Sequence, residues 1–462
     1  MIDNDTIAAI ATPPGSGGIG IIRISGSDAK NILNLVFRQK SGKKNERFED
    51  RYLYYGTAID SSANTIDECM AVYMKSPKSY TREDVVEIHC HGGMIPLKTI
   101  LDEIIKGGAR LAQPGEFTKR AFLNGRIDLA QAEAVMDMIS ATSRQAAEMS
   151  ALQMEGRLGE YVNVLKERLL DISAEIEASV DYPDEVSDEG SRDLLMVSIN
   201  EVIAKTEELL KSYDYGRILN QGLKVSITGK PNVGKSSLLN ALLKSNRAIV
   251  TPIPGTTRDV IEEMLNIKGV PVKISDAAGI RKTSDIVESI GIEKAKKSID
   301  EADVVIMVCD ASLPIDSEDK EIMDVLADKR VIYVLNKIDL GNVARKEDLV
   351  RGEFEELTPV LATSMKDNTG VNDLEETIAS FVYSEKAKHK GDMVIVNARH
   401  KQALQDAFVS LSDALSTLNS GFPIDMVSID VREAWRTLAA ITGESVDEDL
   451  IDRIFSKFCL GK

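Results

Sequence analysis

Eight residues set the chemistry: Gly229, four intervening positions, then Gly234-Lys235-Ser236. Glycines at both corners allow tight curvature, so that backbone N–H groups turn inward onto phosphate oxygens. Lys235 would reach the β and γ phosphates, and the Ser236 hydroxyl would sit on Mg²⁺. An apolar strand precedes the turn. After it, Ser237-Leu238-Leu239-Asn240-Ala241-Leu242 opens a helix whose positive end faces the same anion.

Further loaded turns follow at the ends of strand-like runs. Asp276-Ala277-Ala278-Gly279 comes after the run 272–275, placing a carboxylate near the Mg²⁺ shell and a glycine amide near a γ-phosphate. Asn336-Lys337-Ile338-Asp339 comes after the run 331–335. Asp339 can accept from guanine N1–H and from the 2-amino group, a donor pair that adenine lacks, so the nucleotide is expected to be GTP. Ser364-Met365-Lys366 takes the place of the last base-contacting loop, with Met365 where a small residue is common. Pro254-Gly255-Thr256-Thr257-Arg258-Asp259 lies where a switch loop belongs, and Thr257 is the candidate second hydroxyl on Mg²⁺. The nucleotide set is then Asn232, Val233, Gly234, Lys235, Ser236 and Ser237 in the cradle. Thr251, Thr256 and Thr257 join it from the switch loop, Asp276 and Gly279 from the next turn, and Asn336, Lys337, Asp339 and Ser364 from around the base. The cutting step has no obvious owner, because Ile280 follows Gly279 where many GTPases carry a water-orienting glutamine. Arg281, Asp285 and Glu288 are the candidates, and residues of these types are more often plain surface charges.

The elements that must position these groups belong to a chain of 462 residues, enough for about two to four domains. A net charge of −18 argues against a broad basic surface for nucleic acid, so any RNA contact must be local or shared with a partner. Cys69, Cys90, Cys309 and Cys459 follow no paired spacing, the N-terminus is unlike a secretory signal, and the longest apolar run (304–309) cannot span a bilayer. A cytoplasmic enzyme is expected.

In order, residues 1–118 read as an α+β domain, with strand-like runs at 6–11, 19–24, 70–74 and 85–88 and a helix near 95–105. Gly15-Ser16-Gly17-Gly18-Ile19-Gly20 matches a dinucleotide fingerprint, but the residues that follow read as a strand where the fingerprint needs a helix. His89-Cys90-His91 has no second ligand pair at zinc spacing, so a metal reading is set aside. Helical periodicity fills 119–219, with one long helix over 143–180 ended by Pro183, an acidic loop at 181–189 and a helix near 194–213. After the nucleotide module (220–383) the chain returns to helices over 384–462, at 401–418, 431–441 and from Ser445, where Ser445-Val446-Asp447-Glu448 reads as a capping box. The expected architecture is a discontinuous all-α helical domain with an α/β P-loop (Ras-like) G domain inserted in it.

The stretches flanking the module carry a resemblance. They are Asp5-Thr6-Ile7 with Ala11-Thr12-Pro13-Pro14-Gly15, the run Gly17 to Gly26, and Pro114-Gly115-Glu116-Phe117-Thr118 with Arg120-Ala121-Phe122-Leu123-Asn124. The terminal Phe458-Cys459-Leu460-Gly461-Lys462 completes the set. Over its whole length the chain resembles the MnmE (TrmE) family of GTPases that modify the wobble uridine 34 of tRNA. The resemblance implies an N-terminal dimerisation domain similar to folate-binding aminomethyltransferase domains, holding 5-formyltetrahydrofolate at Arg23, Glu87, Arg126 and Lys462. Arg126 replaces the more familiar lysine, keeping the charge and changing its geometry. It also implies a potassium ion in place of an arginine finger, on Asn232, Thr251, Ile253 and Thr256, with Glu288 orienting water. The implied partners are a second copy of the chain, the flavoprotein MnmG and tRNA. Cys459 has two readings: by composition a small buried apolar group, by its place in the terminal run an essential thiol beside the folate, as nucleophile or as acid. A ribosome-assembly GTPase binding rRNA is the alternative, but such proteins usually carry a basic RNA-binding domain after the G domain, and this tail is helical. A membrane-remodelling GTPase would want a basic or strongly apolar amphipathic surface that the sequence lacks.

Overall fold

The computed structural model describes residues 5–40, 48–181, 188–246, 263–276, 297–349, 358–388 and 394–461. The chain forms two compact units: residues 1–136, 153–166 and 436–462 in the first, 137–152 and 167–435 in the second.

The first unit is built on seven strands: β1 (Ile7–Ile10), β2 (Gly17–Ser25), β3 (Phe37–Gln39), β4 (Leu53–Ile59), β5 (Thr65–Met74), β6 (Val85–Gly92) and β7 (Arg110–Leu111). They lie in the order β3-β4-β5-β6-β2-β1-β7. Helices α1 (Ala29–Val36) and α2 (Met94–Lys106) cover one face through Ile32, Leu33, Ile100 and Ile104, packed on Ile22, Ile24 and Ile88. Gly15 to Gly20 leads into β2 and not into a helix, so the dinucleotide fingerprint has no helix end to use. Pairing is antiparallel across β2 and β6 and sets Arg23 directly opposite Glu87. The elements β3, β4 and α1 have no counterpart in the sequence reading, because Tyr54, Tyr55 and Gly56 break the alternation of β4 and α1 spans only two turns.

Helix α3 (Glu116–Leu123) follows β7, and its charges explain the Pro-Gly-Glu-Phe-Thr stretch. Glu116 accepts the Gln113 backbone N–H at 2.8 Å and both Arg110 (2.6 Å) and Arg120 (3.1 Å). Arg120 is buried, and it also binds Asp5 Oδ1 at 2.6 Å and Glu83 at 3.2 Å. A buried guanidinium shared by three carboxylates fixes the start of β1 and the 79–84 loop to α3. On the other side the last helix, Glu448–Phe455, packs Ile451 and Phe455 with Phe458 on Leu129 and Ala132.

Further along are α4 (Leu129–Ser140), α5 (Arg144–Met154), α6 (Arg157–Asp181) and α7 (Asp188–Gln221). The single helix expected over 143–180 is two, because Gly156 has φ +91°, which a right-handed helix cannot continue through. The helix expected near 194–213 continues to the edge of the nucleotide module. The acidic loop lies mostly outside the described residues.

The second unit holds β8 (Leu223–Thr228), α8 (Lys235–Asn246), β9 (Glu263–Ile267), β10 (Val270–Asp276), β11 (Val304–Asp310), α9 (Ser317–Val325), β12 (Val331–Asn336), β13 (Val360–Ala362) and α10 (Val371–Lys388). The sheet order is β13-β12-β11-β8-β10-β9, parallel except for β9 against β10. The apolar run of β11 is buried on both faces: Val304, Ile306 and Val308 face one core, with Leu238, Leu242 and Leu374, while Val305, Met307 and Cys309 face another, with Leu326 and Leu335. This is a doubly wound sheet whose strand order turns at β8, the place where such sheets bind nucleotides. Beyond α10 come α11 (Ala398–Asn419), which packs along α7, then α12 (Val427–Thr442). Before the last helix the expected capping box does not form. Its N-cap is Asp447, without a side-chain cap bond, because the Ser445 hydroxyl donates to the Arg436 carbonyl at 2.7 Å.

Candidate functional site

The phosphate cradle is the turn between β8 and α8. Gly229 has φ +134° and Gly234 φ +108°, and both sit where a side chain has no room: a Cβ would stand 2.2 Å from the Val308 carbonyl at Gly229 and 2.2 Å from Asn336 Nδ2 at Gly234. Asn232 also takes a left-handed backbone, φ +63°, which turns the chain between the two glycines. The Lys235 ammonium folds back into the curve, donating to the carbonyls of Gly229 and Lys230 at 2.6 Å each. The neighbouring Lys230 is committed elsewhere, to Asp316 (2.6 Å) and Asp319 (2.8 Å). Burial would lower its pKa, but these carboxylates outweigh it and raise it. Of the two loop lysines, Lys230 is thus neutralised by carboxylates, while Lys235 lies along the carbonyls of the turn.

The base-side residues meet this cradle. Asn336, 2 % exposed at the end of β12, donates from Nδ2 to the Val233 carbonyl at 2.9 Å and accepts on Oδ1 from the Thr363 hydroxyl (3.3 Å) and the Met365 N–H (3.4 Å). One amide ties three loops together. Lys337, with φ +66°, reaches Asp310 Oδ2 at 2.6 Å. Burial pushes Asp310 upward, yet the Lys337 ammonium and the Ser312 hydroxyl outweigh it and hold its carboxyl below the usual range. The Ser364 hydroxyl donates to Asp339 Oδ1 at 2.9 Å, and a two-way backbone pair with Thr369 fixes Ser364 itself. The fold thus brings together Val233, Gly234, Lys235, Asn336, Lys337, Asp339 and Ser364. Ser236 and Ser237 sit in the first turn of α8, and Asp276 ends β10 level with Ile227 of β8. Thr251, Ile253, Thr256, Thr257, Gly279, Arg281, Asp285 and Glu288 lie outside the described residues. Sequence reasoning passed over Asp310; its only signal is its place at the carboxyl end of β11.

A second constellation stands in the first unit. Arg23 binds Glu87 through Nε (2.9 Å) and Nη2 (2.8 Å), and donates from Nη1 to the Gly461 carbonyl at 3.3 Å. Gly461 has φ +88°, and a Cβ there would lie 2.4 Å from the Ile10 carbonyl, so the C-terminal run reaches Arg23 only as glycine. The Tyr80 ring carries both guanidiniums, Arg23 at 5.5 Å and Arg126 at 4.7 Å from its centroid. Arg126 also donates to the Tyr80 carbonyl at 2.9 Å. Tyr80 therefore joins two residues that sequence reasoning had paired; nothing in its Ser-Tyr-Thr surroundings flags it. Cys459 is exposed, and its carbonyl accepts the Gly115 N–H at 3.3 Å. Of the two readings of Cys459, the buried apolar one is therefore not met, while Lys462 lies outside the described residues. His89 and His91 each take a carboxylate, Glu87 at 3.4 Å and Asp67 at 2.7 Å. Cys90 turns into the core with Cys69, where burial pushes the thiols up to about 11 and about 12.

The His89 hydrogen bond, with Arg23 behind it, outweighs burial and holds Glu87 below its ordinary value. A lowered carboxylate stabilises the fold above its unfolded pKa, about 4.3, and that contribution is lost as the pH falls through the folded value. Thermal melts of Glu87→Gln against the parent should accordingly differ at neutral pH and converge in acid. A difference that persisted once Glu87 is protonated in both states would show that the pair acts by packing and not by charge.

Comparisons with known proteins bear on both constellations. Two family descriptions match, the MnmE helical domain over residues 129–459 and the GTP-binding protein TrmE N-terminus over residues 6–126. Curated relatives called tRNA modification GTPase MnmE are similar end to end. That of Alkaliphilus metalliredigens is 48% identical over 463 residues and that of Clostridioides difficile 48% over 462, each covering 100% of both chains. Among solved structures, the G domain of the T. maritima FeoB iron transporter is 28% identical, covers 34% of this chain and 98% of its own, and superposes with a TM-score of 0.26.

Proposed function

The chain belongs to the MnmE family of tRNA modification GTPases, and from that premise we propose that it hydrolyses GTP to drive the modification of C5 of wobble uridine 34. One observation carries the GTPase reading: Asn336 binds Val233 of the cradle and Met365 of the base loop at once, so phosphate and base are held by one rigid unit. The ribosome-assembly alternative has no such support, because full-length relatives carry the other name.

The residues divide the work. Inward amides of 232–237 and the Lys235 ammonium neutralise the β and γ phosphates, on a turn whose curve needs glycine at 229 and 234, where a Cβ would strike the Val308 carbonyl and Asn336 Nδ2. Asp339, with one oxygen fixed by Ser364, selects guanine. Mg²⁺ would be held by Ser236 and Thr257, and K⁺ by Asn232, Thr251, Ile253 and Thr256; when bound, the two ions would supply positive charge to the phosphates. Glu288 orients water. In the other unit Arg23, Glu87, Arg126 and Lys462 would hold 5-formyltetrahydrofolate, which supplies the one-carbon unit, with Cys459 beside it. The reading includes a homodimer joined through the N-terminal domain, work with MnmG to add an aminomethyl or carboxymethylaminomethyl group, and a cytoplasmic setting. Its domains are 1–118 for folate and dimerisation, 119–219 and 384–462 for the helical part, and 220–383 for the G domain. No helix among the described residues is long and apolar enough to cross a membrane.

Turnover should be at least about tenfold faster in KCl than in NaCl at equal ionic strength, since a bound cation replaces a transition-state donor. Equal rates would remove potassium from the scheme. Nucleoside analysis of tRNA from a deletion strain tests the larger claim, and an unchanged uridine 34 would refute it.

A further inference from the structure

Next to the Arg23–Glu87 pair lies a cavity of about 390 Å³, lined among others by Arg51, Lys78, Ser79, Tyr80, Arg82 and Arg126. Among the described residues four cations and no carboxylate line it, on a chain of net charge −18. Two of these guanidiniums are aimed by neutral backbone acceptors: Arg82 Nη1 on the Asn124 carbonyl at 2.8 Å and Arg126 Nη1 on the Tyr80 carbonyl at 2.9 Å. Arg51 binds the Lys78 carbonyl and is partly spent on Asp50 at 3.2 Å. Among the described residues Lys78, Arg82 and Arg126 have no carboxylate partner, so their charges are oriented and not neutralised. Arg51 (φ +59°) and Arg82 (φ +61°) moreover hold a left-handed backbone that arginine rarely adopts, a cost that persists only where the surroundings enforce it.

We propose that this cavity is the subsite for the acidic tail of a folate carrying several γ-linked glutamates, a proposal that rests on the folate reading of Arg23, Glu87 and Arg126. Tyr80 supplies the continuity, since its ring meets Arg23 on the folate side and lines the cavity with Arg126. A single glutamate offers two carboxylates to four cations; a longer tail matches them. Nucleic acid suits the cavity less well. Tyr80 is its one aromatic group, and two guanidiniums already lie against that ring, leaving bases no platform on which to stack.

The test is calorimetric titration of the full chain with 5-formyltetrahydrofolate as monoglutamate and as pentaglutamate, in dilute and in concentrated KCl. The pentaglutamate should bind about tenfold tighter or more, with the advantage shrinking as salt screens exposed pairs. The triple variant Arg51→Gln, Lys78→Gln, Arg82→Gln should lose far more affinity for the pentaglutamate than for the monoglutamate, so that the advantage disappears; an unchanged circular dichroism spectrum and melting curve show that it has folded. Equal affinities in the parent chain overturn the tail subsite alone. Failure of both folates to bind overturns the folate reading with it. If the triple variant keeps the tail advantage and instead loses affinity for an anticodon stem-loop RNA, the cavity serves RNA and the proposal is wrong.

Discussion

Asp339→Asn should exchange guanine for xanthine specificity, shifting the ratio of kcat/KM for GTP over xanthosine triphosphate by about 10⁴ or more. The carboxylate accepts twice from guanine, at N1–H and at the 2-amino group. An asparagine presents one acceptor and one donor, so with GTP it sets an amide N–H against a donor, and with xanthine it finds the carbonyl that replaced the amino group. The effect is large because the geometry is already fixed: Ser364 donates to Asp339 Oδ1 at 2.9 Å, and Ser364 is itself buried and locked to Thr369. Steady-state rates with both nucleotides decide it. If the variant still preferred GTP, Asp339 would not contact the base. Ser364→Ala should show a weaker form of the same loss, about tenfold, because the carboxylate keeps its charge and loses only its orientation.

Gly234→Ala should weaken GTP binding by about 10³ and leave the fold in place. A Cβ would stand 2.2 Å from Asn336 Nδ2, and φ +108° is a conformation that alanine resists. Asn336 must then withdraw, breaking its bond to Val233 and leaving a buried amide unpaired. Backbone strain of about 1–2 kcal/mol and an unsatisfied polar group of about 1–3 kcal/mol together give the expected loss. The damage crosses the site, since the same amide accepts from Met365 of the base loop. Nucleotide titration followed by circular dichroism separates lost binding from lost fold. Binding within about threefold of the parent would mean that the cradle tolerates a side chain and that the three-loop tie is not what holds the nucleotide.

Ordered motifs are legible in a sequence because each asks something local of its residues. Gly229 and Gly234 must be glycine whatever surrounds them, and runs buried on both faces of a sheet, such as 304–309, must be continuously apolar. The glycine-cornered turn, its strand and its helix could therefore be read in place, as could the rejection of the Gly15 to Gly20 fingerprint, which depends on whether a strand or a helix follows. The misreadings are local as well. The helix over 143–180 has good periodicity throughout, and only the backbone of Gly156 shows where it stops. The Ser445 box has the right letters, but its serine is taken by the Arg436 carbonyl.

What the amino-acid order offers, then, is a glycine-cornered turn between strand and helix, a carboxylate for which guanine is the proposed partner and, through the flanking stretches, a family. What only the tertiary structure decided is who meets whom. Asn336 reaches Val233 across 103 residues, Arg23 reaches Gly461 across 438, and Tyr80 gathers Arg23 and Arg126 onto one ring. Spacing along a chain specifies the turn a residue occupies, because backbone sterics act over a few bonds. Contacts between distant segments depend on strand order, register and packing of the whole sheet, and no short window of sequence contains those.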